Sequence, residues 1–300
     1  MKVARVDHRC WGRWGMNSVK RRATVVNLLV SLAFLVASAD KALSAVITIA
    51  GNGSELRMVE RLTQAFEKTH VGAVAEIRWD PSFHPIQMVK SGEADVAVVG
   101  QTDPDLLAAP IAWDGIAVVV DFANPLREIT SLQLAAMFSG AMTRWSDVGG
   151  IDTGIEVING ASNQPIRETF ETVLEIVGKS PHSAYVSQSD QRAISRVAGN
   201  GSAVTYVSLG VALDAVMYGV GVALLNVDNV EPAKQTVRDG RYRLRRPVLL
   251  LRRDDSNSTA ASFVDFALSK EAMDIIEEMY VSYVGHDNEA HAAHSSLRAK

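Results

Sequence analysis

The run IAWDGIAVVVDFANPL, residues 111–126, decides the fold that this sequence predicts. Every residue from 116 to 120 is apolar, so a strand formed there must be covered on both faces, as in a sheet with helices on either side. The turn-prone Asn124-Pro125 pair then ends the strand. Two interpretations stay open at this point. The run is either a buried strand of one domain or a strand by which the chain leaves one lobe for another.

Strands, polar loops and helices alternate along the chain on both sides of this run. Further strands are predicted at residues 46–50, 74–79, 95–99, 155–159, 203–207 and 221–225. The first strand leads into an amphipathic helix with Ser54 as its N-cap. The run 242–251 is predicted to return to the first lobe as the antiparallel partner of residues 111–126, and closing helices follow around residues 263–268 and 273–279. This order predicts an α/β protein with a parallel, doubly wound sheet, which binds ligands at the carboxyl ends of its strands.

Residues 1–39 are typical of an export signal peptide. Lys20-Arg21-Arg22 precede an apolar run, which is followed by the small-x-small pattern that signal peptidase recognises. We predict cleavage between residues 39 and 45. A membrane anchor is the alternative, although the apolar run is shorter than the roughly 20 residues that span a bilayer. The only cysteine, Cys10, lies in this leader, so a mature chain would have no disulfide and no cysteine for a lipid anchor.

Charge argues against one class of partner. The formal net charge is −4, and residues 1–39 carry seven Lys or Arg and one Asp, so cleavage would leave a mature chain at −10. We predict no binding of nucleic acid by such an acidic protein, because neutralising phosphates takes many Lys and Arg.

At the C-terminal end, residues 284–300 are predicted to form a disordered tail. Metal binding by the histidines of this tail is the alternative interpretation.

The sequence shows no pattern typical of an enzyme or a cofactor site. Gly51-x-Gly53 lacks the third glycine of a dinucleotide fingerprint. The local cluster of Asp80, Ser82 and His84 is interpreted as a turn and a helix cap, because groups one loop apart rarely form a nucleophile, base and orienter. Outside the tail, no His, Cys and carboxylate set has metal-ligand spacing. We therefore predict no catalysis, no cofactor and no metal.

Polar loops that lead into helices are the feature most relevant to binding. They occur at Ser54, at residues 82–85 and at residues 164–167. Helix starts expose unpaired N–H groups and the positive end of the helix dipole, so several of them converging on one cleft would form an anion site. Capping of each helix by its own serine is the alternative.

Several motifs resemble the phosphate-binding proteins of ABC phosphate importers. The opening run, with its Asn-Pro turn, is similar to the crossing strand of that family. The next segment of the family is similar to LQLAAMFSG (132–140), TRW (143–145) and VGG (148–150). The family's return crossing is similar to DGRYRLRRP (239–247). The resemblance covers roughly residues 46–283.

This resemblance implies an α/β fold of the type II-like, two-lobed periplasmic binding protein class. Each lobe would be a doubly wound sheet, and two crossing strands would join the lobes. Lobe 1 would contain residues 46–122 and 245–283, and lobe 2 would contain residues 123–244. Asp114 would then be a structural residue near the hinge.

The same resemblance implies a function. The chain would be an exported, periplasmic solute-binding protein that acts as a monomer. It would capture phosphate or a related small oxyanion in the cleft between the lobes and present it to a membrane ABC permease. The alternative is a sensory or interaction protein outside transport, which retains the fold with a degenerate phosphate site.

The resemblance also implies which residues contact the ligand. The matched positions are Asn52, Gly53, Ser54, Ser82, Thr102, Asp103, Ser162, Gln164 and Arg167. Among them, Asp103 would accept a proton from protonated phosphate and repel fully ionised sulfate.

The fourth binding loop departs from the pattern of the family. Where the family has Ser-Gly-Thr, Pro165 supplies no N–H and Ile166 supplies no hydroxyl. The arginine that the family carries shortly before this motif falls near Gly160. Losing such a charge-assisted contact typically costs about 1.5–3 kcal/mol. Tight phosphate binding would therefore require Arg167 or Arg78 to substitute.

Overall fold

The computed structural model describes residues 45–179 and 185–283. The predicted export signal, its cleavage site and the histidine-containing tail lie outside these residues. The described strands are β1 Ala45–Gly51, β2 Ala73–Trp79, β3 Val96–Val99, β4 Leu107–Asp121, β5 Glu128–Ile129, β6 Glu156–Gly160, β7 Tyr185–Ser187, β8 Ala203–Ser208, β9 Val222–Val227, β10 Arg245–Arg252 and β11 Val281–Ser282. The described α-helices are α1 Leu56–Thr69, α2 Pro85–Ser91, α3 Ser131–Phe138, α4 Pro165–Val173, α5 Asp190–Val197, α6 Leu209–Met217, α7 Lys234–Arg238, α8 Ser258–Ala267 and α9 Lys270–Glu277. None of these helices has the length and apolar character needed to cross a membrane.

The predicted crossing strand is β4, and two halves of the sheet share it. Its first part, through Gly115, pairs antiparallel with β10, and residues 116–120 pair antiparallel with β8. The return run is therefore the partner of the crossing strand, as predicted. The strand begins at Leu107, earlier than the predicted run, and includes Pro110. A register shift between Val248 and Leu249 accommodates this proline, which cannot donate a hydrogen bond to the ladder.

Each half of the sheet contains parallel strands. In the first half the order is β2-β1-β3-β10-β4, with β1 parallel to both β2 and β3. In the second half the order is β4-β8-β6-β7, with β6 parallel to both β7 and β8. Strand β9 pairs with β4 and with the short β5. The loops that follow β1 and β6 lead towards α1 and α4, the arrangement on which the predicted site depends.

Separate apolar clusters cover the two halves. In the first half, Phe66 of α1 packs edge-on against Phe263 of α8, with ring centroids 5.4 Å apart. In the second half, the ring of Phe170 stacks on that of Tyr206 at 3.9 Å, beside the fully buried second part of β4. Complete burial of a large apolar side chain contributes about 1.5–3 kcal/mol. Each half is thus stabilised by its own core.

The start of α1 differs from the prediction. Ser54 does not cap this helix: the N-cap position is Glu55, and no side chain makes a capping hydrogen bond there. Glu55 instead turns inward and accepts a hydrogen bond from Arg246. The Ser54 hydroxyl is buried beside the hydroxyl of Tyr280, and neither makes a hydrogen bond of good geometry among the described residues. This helix start therefore keeps a hydroxyl available for other contacts.

Candidate functional site

A cavity of about 650 Å³ is lined by residues from both halves of the sheet. The loop after β1 and the start of α1 form one wall, and the start of α4 together with α5 and α6 forms the other. Four of the contacts predicted from the sequence share this cavity, namely Asn52, Gly53, Ser54 and Gln164. The structure therefore brings the predicted first and fourth loops together.

The remaining predicted contacts do not line this cavity. Thr102 and Ser162 are exposed on their loops. Ser82 is also exposed, and its backbone N–H donates to Asp80 at 2.8 Å, which agrees with the turn that the sequence predicted there. Ser82 lines a separate, more open depression with Arg78. The second and third loops thus present their polar side chains elsewhere.

Asp103, which the sequence assigned the role of proton acceptor, is paired with a lysine. Its carboxylate lies 2.8 Å from the ammonium of Lys90, and it also accepts the backbone N–H of Asp105 at 3.0 Å. The Lys90 hydrogen bond is the main reason that the pKa of Asp103 lies below its ordinary value. The structure thus places this carboxylate, ionised, outside the cavity.

Neither arginine expected to replace the missing one lines the cavity. The Arg167 guanidinium donates to Glu171 at 2.7 Å and to the Gly160 carbonyl at 2.9 Å, while Arg78 lies at the separate depression. Gly160 itself has little room for a side chain. A Cβ atom there would lie only 2.9 Å from the amide oxygen of Gln164. The glycine at position 160 therefore leaves room for the Gln164 side chain in the fourth loop.

Side-chain amides tie the loops of the two walls together. Asn52 donates through Nδ2 to the carbonyls of Phe83 and Asn163, both at 3.0 Å. Asn163, in the loop after β6, donates in turn to the Pro81 carbonyl at 2.6 Å. A second bridge joins Arg57 of α1 to Asp214 of α6 at 3.2 Å. The two walls therefore touch directly while the cavity remains between them.

The buried cation at the cavity is Arg246, which lies on β10 directly opposite Asp114 of β4. Its Nη2 atom donates to the Asp114 carboxylate at 2.9 Å and to that of Glu55. Burial disfavours the charged guanidinium, yet these two carboxylates hold its pKa above the ordinary value. Arg246 therefore stays charged, and the predicted structural role of Asp114 at the crossing agrees with this contact.

Four buried polar atoms in the cavity wall have no hydrogen-bond partner within the described part of the chain. They are Nε and Nη1 of Arg246, the hydroxyl of Ser54 and Oδ1 of Asn52. Nη1 faces the backbone of Gly100 at the end of β3, 3.6 Å from the position of a Cβ atom. Buried polar groups rarely lack partners, and leaving one unpaired costs about 1–3 kcal/mol. The set of two cationic N–H donors, one hydroxyl and one acceptor suits a ligand that is anionic and carries a proton.

Carboxyl groups next to Arg246 titrate near neutral pH. Burial raises the pKa of Asp114 to about 6; Arg246 opposes this shift and Glu55 reinforces it. Asp190, at the start of α5 and in the cavity wall, has its pKa raised to about 7 by burial, although it accepts the Ser208 N–H at 3.0 Å. These carboxyl groups can therefore be neutral beside a bound anion.

The sequence reasoning missed Arg246 and Asp190 as candidates. Arg246 is one of several arginines in the return strand, whereas Asp114 was visible as a carboxylate in the apolar crossing strand. Because buried charges are nearly always paired, the two predicted partner strands could have indicated this ion pair. Asp190 carried no comparable signal, since its burial depends on how α5 packs near β4 and β8.

Comparison with known proteins gives three matches that bear on this site. A model described as the PBP superfamily domain matches residues 36–271. The phosphate-binding protein PstS of Borreliella burgdorferi is 24% identical over 175 residues, which cover 56% of this chain and 62% of that protein. The PstS 2 protein of Streptococcus agalactiae is 30% identical over 114 residues, covering 36% of this chain and 39% of that protein. The match thus spans less than two thirds of the length of these curated relatives.

A solved structure supports the fold over most of the chain. The ABC-type phosphate transport receptor of Vibrio cholerae has a TM-score of 0.68 and 27% identity, and the match covers 78% of this chain and 99% of that one. The chain therefore has a mixed α/β, two-lobed fold of the periplasmic binding protein kind, as predicted. The resemblance to phosphate-binding proteins that its motifs indicated is also confirmed.

Proposed function

The chain belongs to the PBP superfamily, and on that premise we propose that it is an exported solute-binding receptor for phosphate or a related oxyanion. It captures the oxyanion in the cavity between two lobes and delivers it to an ABC-type permease. The names of its relatives in Borreliella and Vibrio support this assignment. Lobe 1 would comprise residues 46–122 and 245–283, and lobe 2 residues 123–244, so that the cavity lies at their junction.

The observation that carries the proposal is that two donor atoms of the Arg246 guanidinium, Nε and Nη1, are buried and have no hydrogen-bond partner among the described residues, although Nη2 is paired with Asp114 and Glu55. Arg246 lines the cavity, and a charge-assisted hydrogen bond from such a donor is worth about 1.5–3 kcal/mol. The Ser54 hydroxyl and the start of the 14-residue helix α1 lie at the same wall. A helix start with a free hydroxyl favours an anion. Arg246 therefore supplies the cation that the fourth loop lacks.

Selection for a protonated oxyanion would come from two acceptors at the cavity. Oδ1 of Asn52 has no partner among the described residues, and Asp190 is a carboxyl group in the same cavity wall. The Asn52 oxygen, and Asp190 in its ionised form, can accept a hydrogen bond from hydrogen phosphate. Sulfate has no proton to donate at neutral pH, so it leaves the Asn52 oxygen without a donor, and Asp190 repels it at pH values above the pKa of about 7, where the carboxyl is ionised. This assigns to Asp190 and Asn52 the selectivity that the sequence had assigned to Asp103.

The remaining parts of the proposal follow from the same assignment. A receptor that serves a permease acts outside the cytoplasm, which agrees with the predicted export signal and a periplasmic location. It binds and releases its ligand as a monomer, without catalysis and without a cofactor. A protein that only binds its ligand needs hydrogen-bond donors and acceptors but no nucleophile. The cavity supplies such donors and acceptors.

Calorimetric titration of the purified protein with phosphate, sulfate and molybdate tests the proposal. We expect phosphate to bind with a Kd well below millimolar and sulfate to bind far more weakly. If none of the three oxyanions binds at millimolar concentration in the folded protein, the receptor assignment is wrong.

Three variants locate the site. Ser54→Ala should weaken phosphate binding by about 0.5–1.5 kcal/mol, and Arg246→Gln by about 1.5–3 kcal/mol, because these substitutions remove a neutral and a charged donor. The matched control is Arg245→Gln. The Arg245 guanidinium lies 4.3 Å from the ring centroid of Trp113 and donates to the Val237 carbonyl at 2.7 Å, outside the cavity lining. Circular dichroism checks that each variant folds, and wild-type affinity in folded Arg246→Gln would exclude Arg246 from the site.

One observation favours a second candidate function. Asn52 and Asn163 join the loops of the two walls directly, where the resemblance places ligand contacts. A protein whose loops are already bonded to each other could serve as a sensory or interaction protein in which the oxyanion site is degenerate. The same titration separates the two functions. A receptor binds phosphate, whereas a degenerate site does not respond to phosphate, sulfate or molybdate.

A further inference from the structure

We propose that the ligand of this receptor is a phosphate monoester of a small hydroxylated organic molecule rather than inorganic phosphate. This inference rests on the proposed function, in which an oxyanion binds beside Arg246. The phosphate group would lie against Arg246 and Ser54. The organic part would extend towards the far wall, the region of the cavity bounded by α5 and α6. The far wall is defined by Gln191, Ile194 and Ser195 of α5 and Asp214 of α6.

The size of the cavity is the first argument. Its volume of about 650 Å³ lies within the range of roughly 300–1,000 Å³ that encloses organic ligands. Liquid water takes about 30 Å³ per molecule, so this volume corresponds to on the order of 20 waters. A tetrahedral oxyanion with one central atom and four oxygens replaces only a few of them. Inorganic phosphate would therefore leave most of the cavity to solvent.

The two walls are already in contact at two places, while the cavity between them stays partly open to solvent. Asn163 donates to the Pro81 carbonyl at 2.6 Å, and Arg57 contacts Asp214 at 3.2 Å. The first bridge lies at the loops after β2 and β6, and the second joins α1 to α6. The walls cannot approach much further at these two places without breaking or compressing contacts that are already at hydrogen-bond distance. The cavity therefore keeps this volume although its two walls already touch.

The chemistry of the far wall is the second argument. Gln191 offers an amide, Ser195 a hydroxyl and Asp214 a carboxylate, and the apolar side chain of Ile194 lies among them. Amides and carboxylates accept hydrogen bonds from hydroxyl groups, and the apolar side chain packs against carbon atoms. Asp214 is paired with Arg57, so the far wall offers no unpaired cation to a second anionic group. This wall therefore suits a neutral, hydroxylated body rather than a second phosphate or a carboxylate.

Isothermal titration with four compounds tests the inference. The probes are inorganic phosphate, glycerol 3-phosphate, n-propyl phosphate and glycerol. We expect glycerol 3-phosphate to bind at least about tenfold tighter than inorganic phosphate, a difference of about 1.4 kcal/mol, and n-propyl phosphate to lie between them. Glycerol alone should not bind measurably, because it lacks the charged group that Arg246 would hold.

A matched pair of variants locates the organic part of the ligand. Ser195→Trp places a large side chain at the far wall, while Ser262→Trp places one on α8, away from the cavity lining. Each of these serines donates to the carbonyl four residues earlier, at 2.8 Å and 2.9 Å, so the two substitutions remove equivalent local contacts. We expect Ser195→Trp to abolish the advantage of glycerol 3-phosphate while the affinity for inorganic phosphate stays within about twofold. Ser262→Trp should leave both affinities unchanged.

The outcomes separate this inference from the proposed function. If inorganic phosphate binds as tightly as glycerol 3-phosphate or more tightly, the inference is overturned while the oxyanion receptor stands. The same follows if the ester binds more tightly but Ser195→Trp does not change its affinity, since the organic part then lies elsewhere. If no phosphate compound binds at all, the proposed function fails and the inference fails with it.

Discussion

Replacing Asp190 by Asn should stabilise the protein at neutral and alkaline pH. Asp190 sits at the first position of α5, accepts the Ser208 N–H at 3.0 Å and shares its surroundings with Asp114, Glu55 and Arg246. Burial raises its pKa from 3.8 to about 7, and the Ser208 hydrogen bond only partly opposes this. The folded protein therefore disfavours the ionised carboxyl, whereas an asparagine can accept the same Ser208 hydrogen bond without a charge.

The sign of the pH dependence follows from proton binding. Below pH 4 the carboxyl is protonated in both the folded and the unfolded state, so it contributes no pH-dependent difference between wild type and Asp190→Asn. Between pH 4 and 7 the unfolded state loses this proton and the folded state keeps it, so wild-type stability falls as the pH rises. Above pH 7 the cost to the wild type is complete. The advantage of the variant should therefore grow from pH 4 and level off above pH 7.

The expected magnitude is about 1–2 kcal/mol. A shift of one pKa unit corresponds to 1.36 kcal/mol, so the full shift of Asp190 would give about 4 kcal/mol. We discount this value for solvent screening because Asp190 retains partial exposure at the cavity wall. The favourable interaction of an ionised Asp with the start of α5, worth about 0.3–1 kcal/mol, reduces it further. For a chain of this size, 1 kcal/mol corresponds to about 2–4 °C in Tm.

Urea unfolding at pH 4, 5.5, 7 and 8.5 measures the effect. Glu271→Gln is the matched control, because Glu271 lies in the first turn of α9 but is exposed. It should show no stabilisation that grows with pH. A stability difference between Asp190→Asn and wild type that is independent of pH would refute the reasoning. So would a variant that is less stable than wild type at pH 8.5.

Three further predictions concern the same group of residues. Arg246→Gln should lower the free energy of unfolding by about 3–5 kcal/mol, because it leaves Glu55 and Asp114 buried without their cation. The control Arg245→Gln should cost less than about 1 kcal/mol. Equal losses of stability in the two variants, measured by denaturant unfolding, would contradict this prediction. Gly160→Ala should cost less than about 1 kcal/mol, because the atom that a Cβ would meet is the end of the Gln164 side chain, which can move away. Gly221→Ala, where a Cβ meets nothing within 4 Å, is the control and should not destabilise. Between pH 8 and pH 6, oxyanion affinity should rise more steeply in wild type than in Asp190→Asn, by up to tenfold per pH unit, because a bound anion favours the protonated carboxyl. Calorimetry measures both affinities, and parallel pH profiles would exclude Asp190 from the site.

The crossing of the chain could be predicted because its signals are local. Residues 116–120 are apolar at every position, which only a strand buried on both faces explains, and they are fully buried. The run 242–251 is similarly apolar towards its end, and β10 pairs with β4 as predicted. Helix α3 carries a local signal of the same kind, because Thr130 and Gln133 form a capping box at its start.

The site was harder to predict because its geometry is not local. Ser54 precedes an amphipathic helix, which is the ordinary sequence signal of an N-cap, but the cap lies one residue later because Glu55 turns inward to Arg246. That contact joins residues far apart in the chain. Asp103 follows a strand as the resemblance requires, yet Lys90 of α2 lies close enough to pair with it. Spacing alone carries no information about either partner.

The ion pair of Arg246 with Asp114 explains why the crossing and the candidate site meet at one place. The two crossing strands are largely buried where they face each other at Asp114 and Arg246, so a charge on one strand needs a partner on the other. Arg246 and Asp114 lie directly opposite each other in the register. Asp114 and Glu55 both contact Nη2, which leaves Nε and Nη1 of the same guanidinium buried and without a partner among the described residues. One side chain therefore holds the crossing together with one nitrogen, and under the proposed function the other two would serve an anion, so substitutions at Arg246 must be interpreted through both stability and affinity.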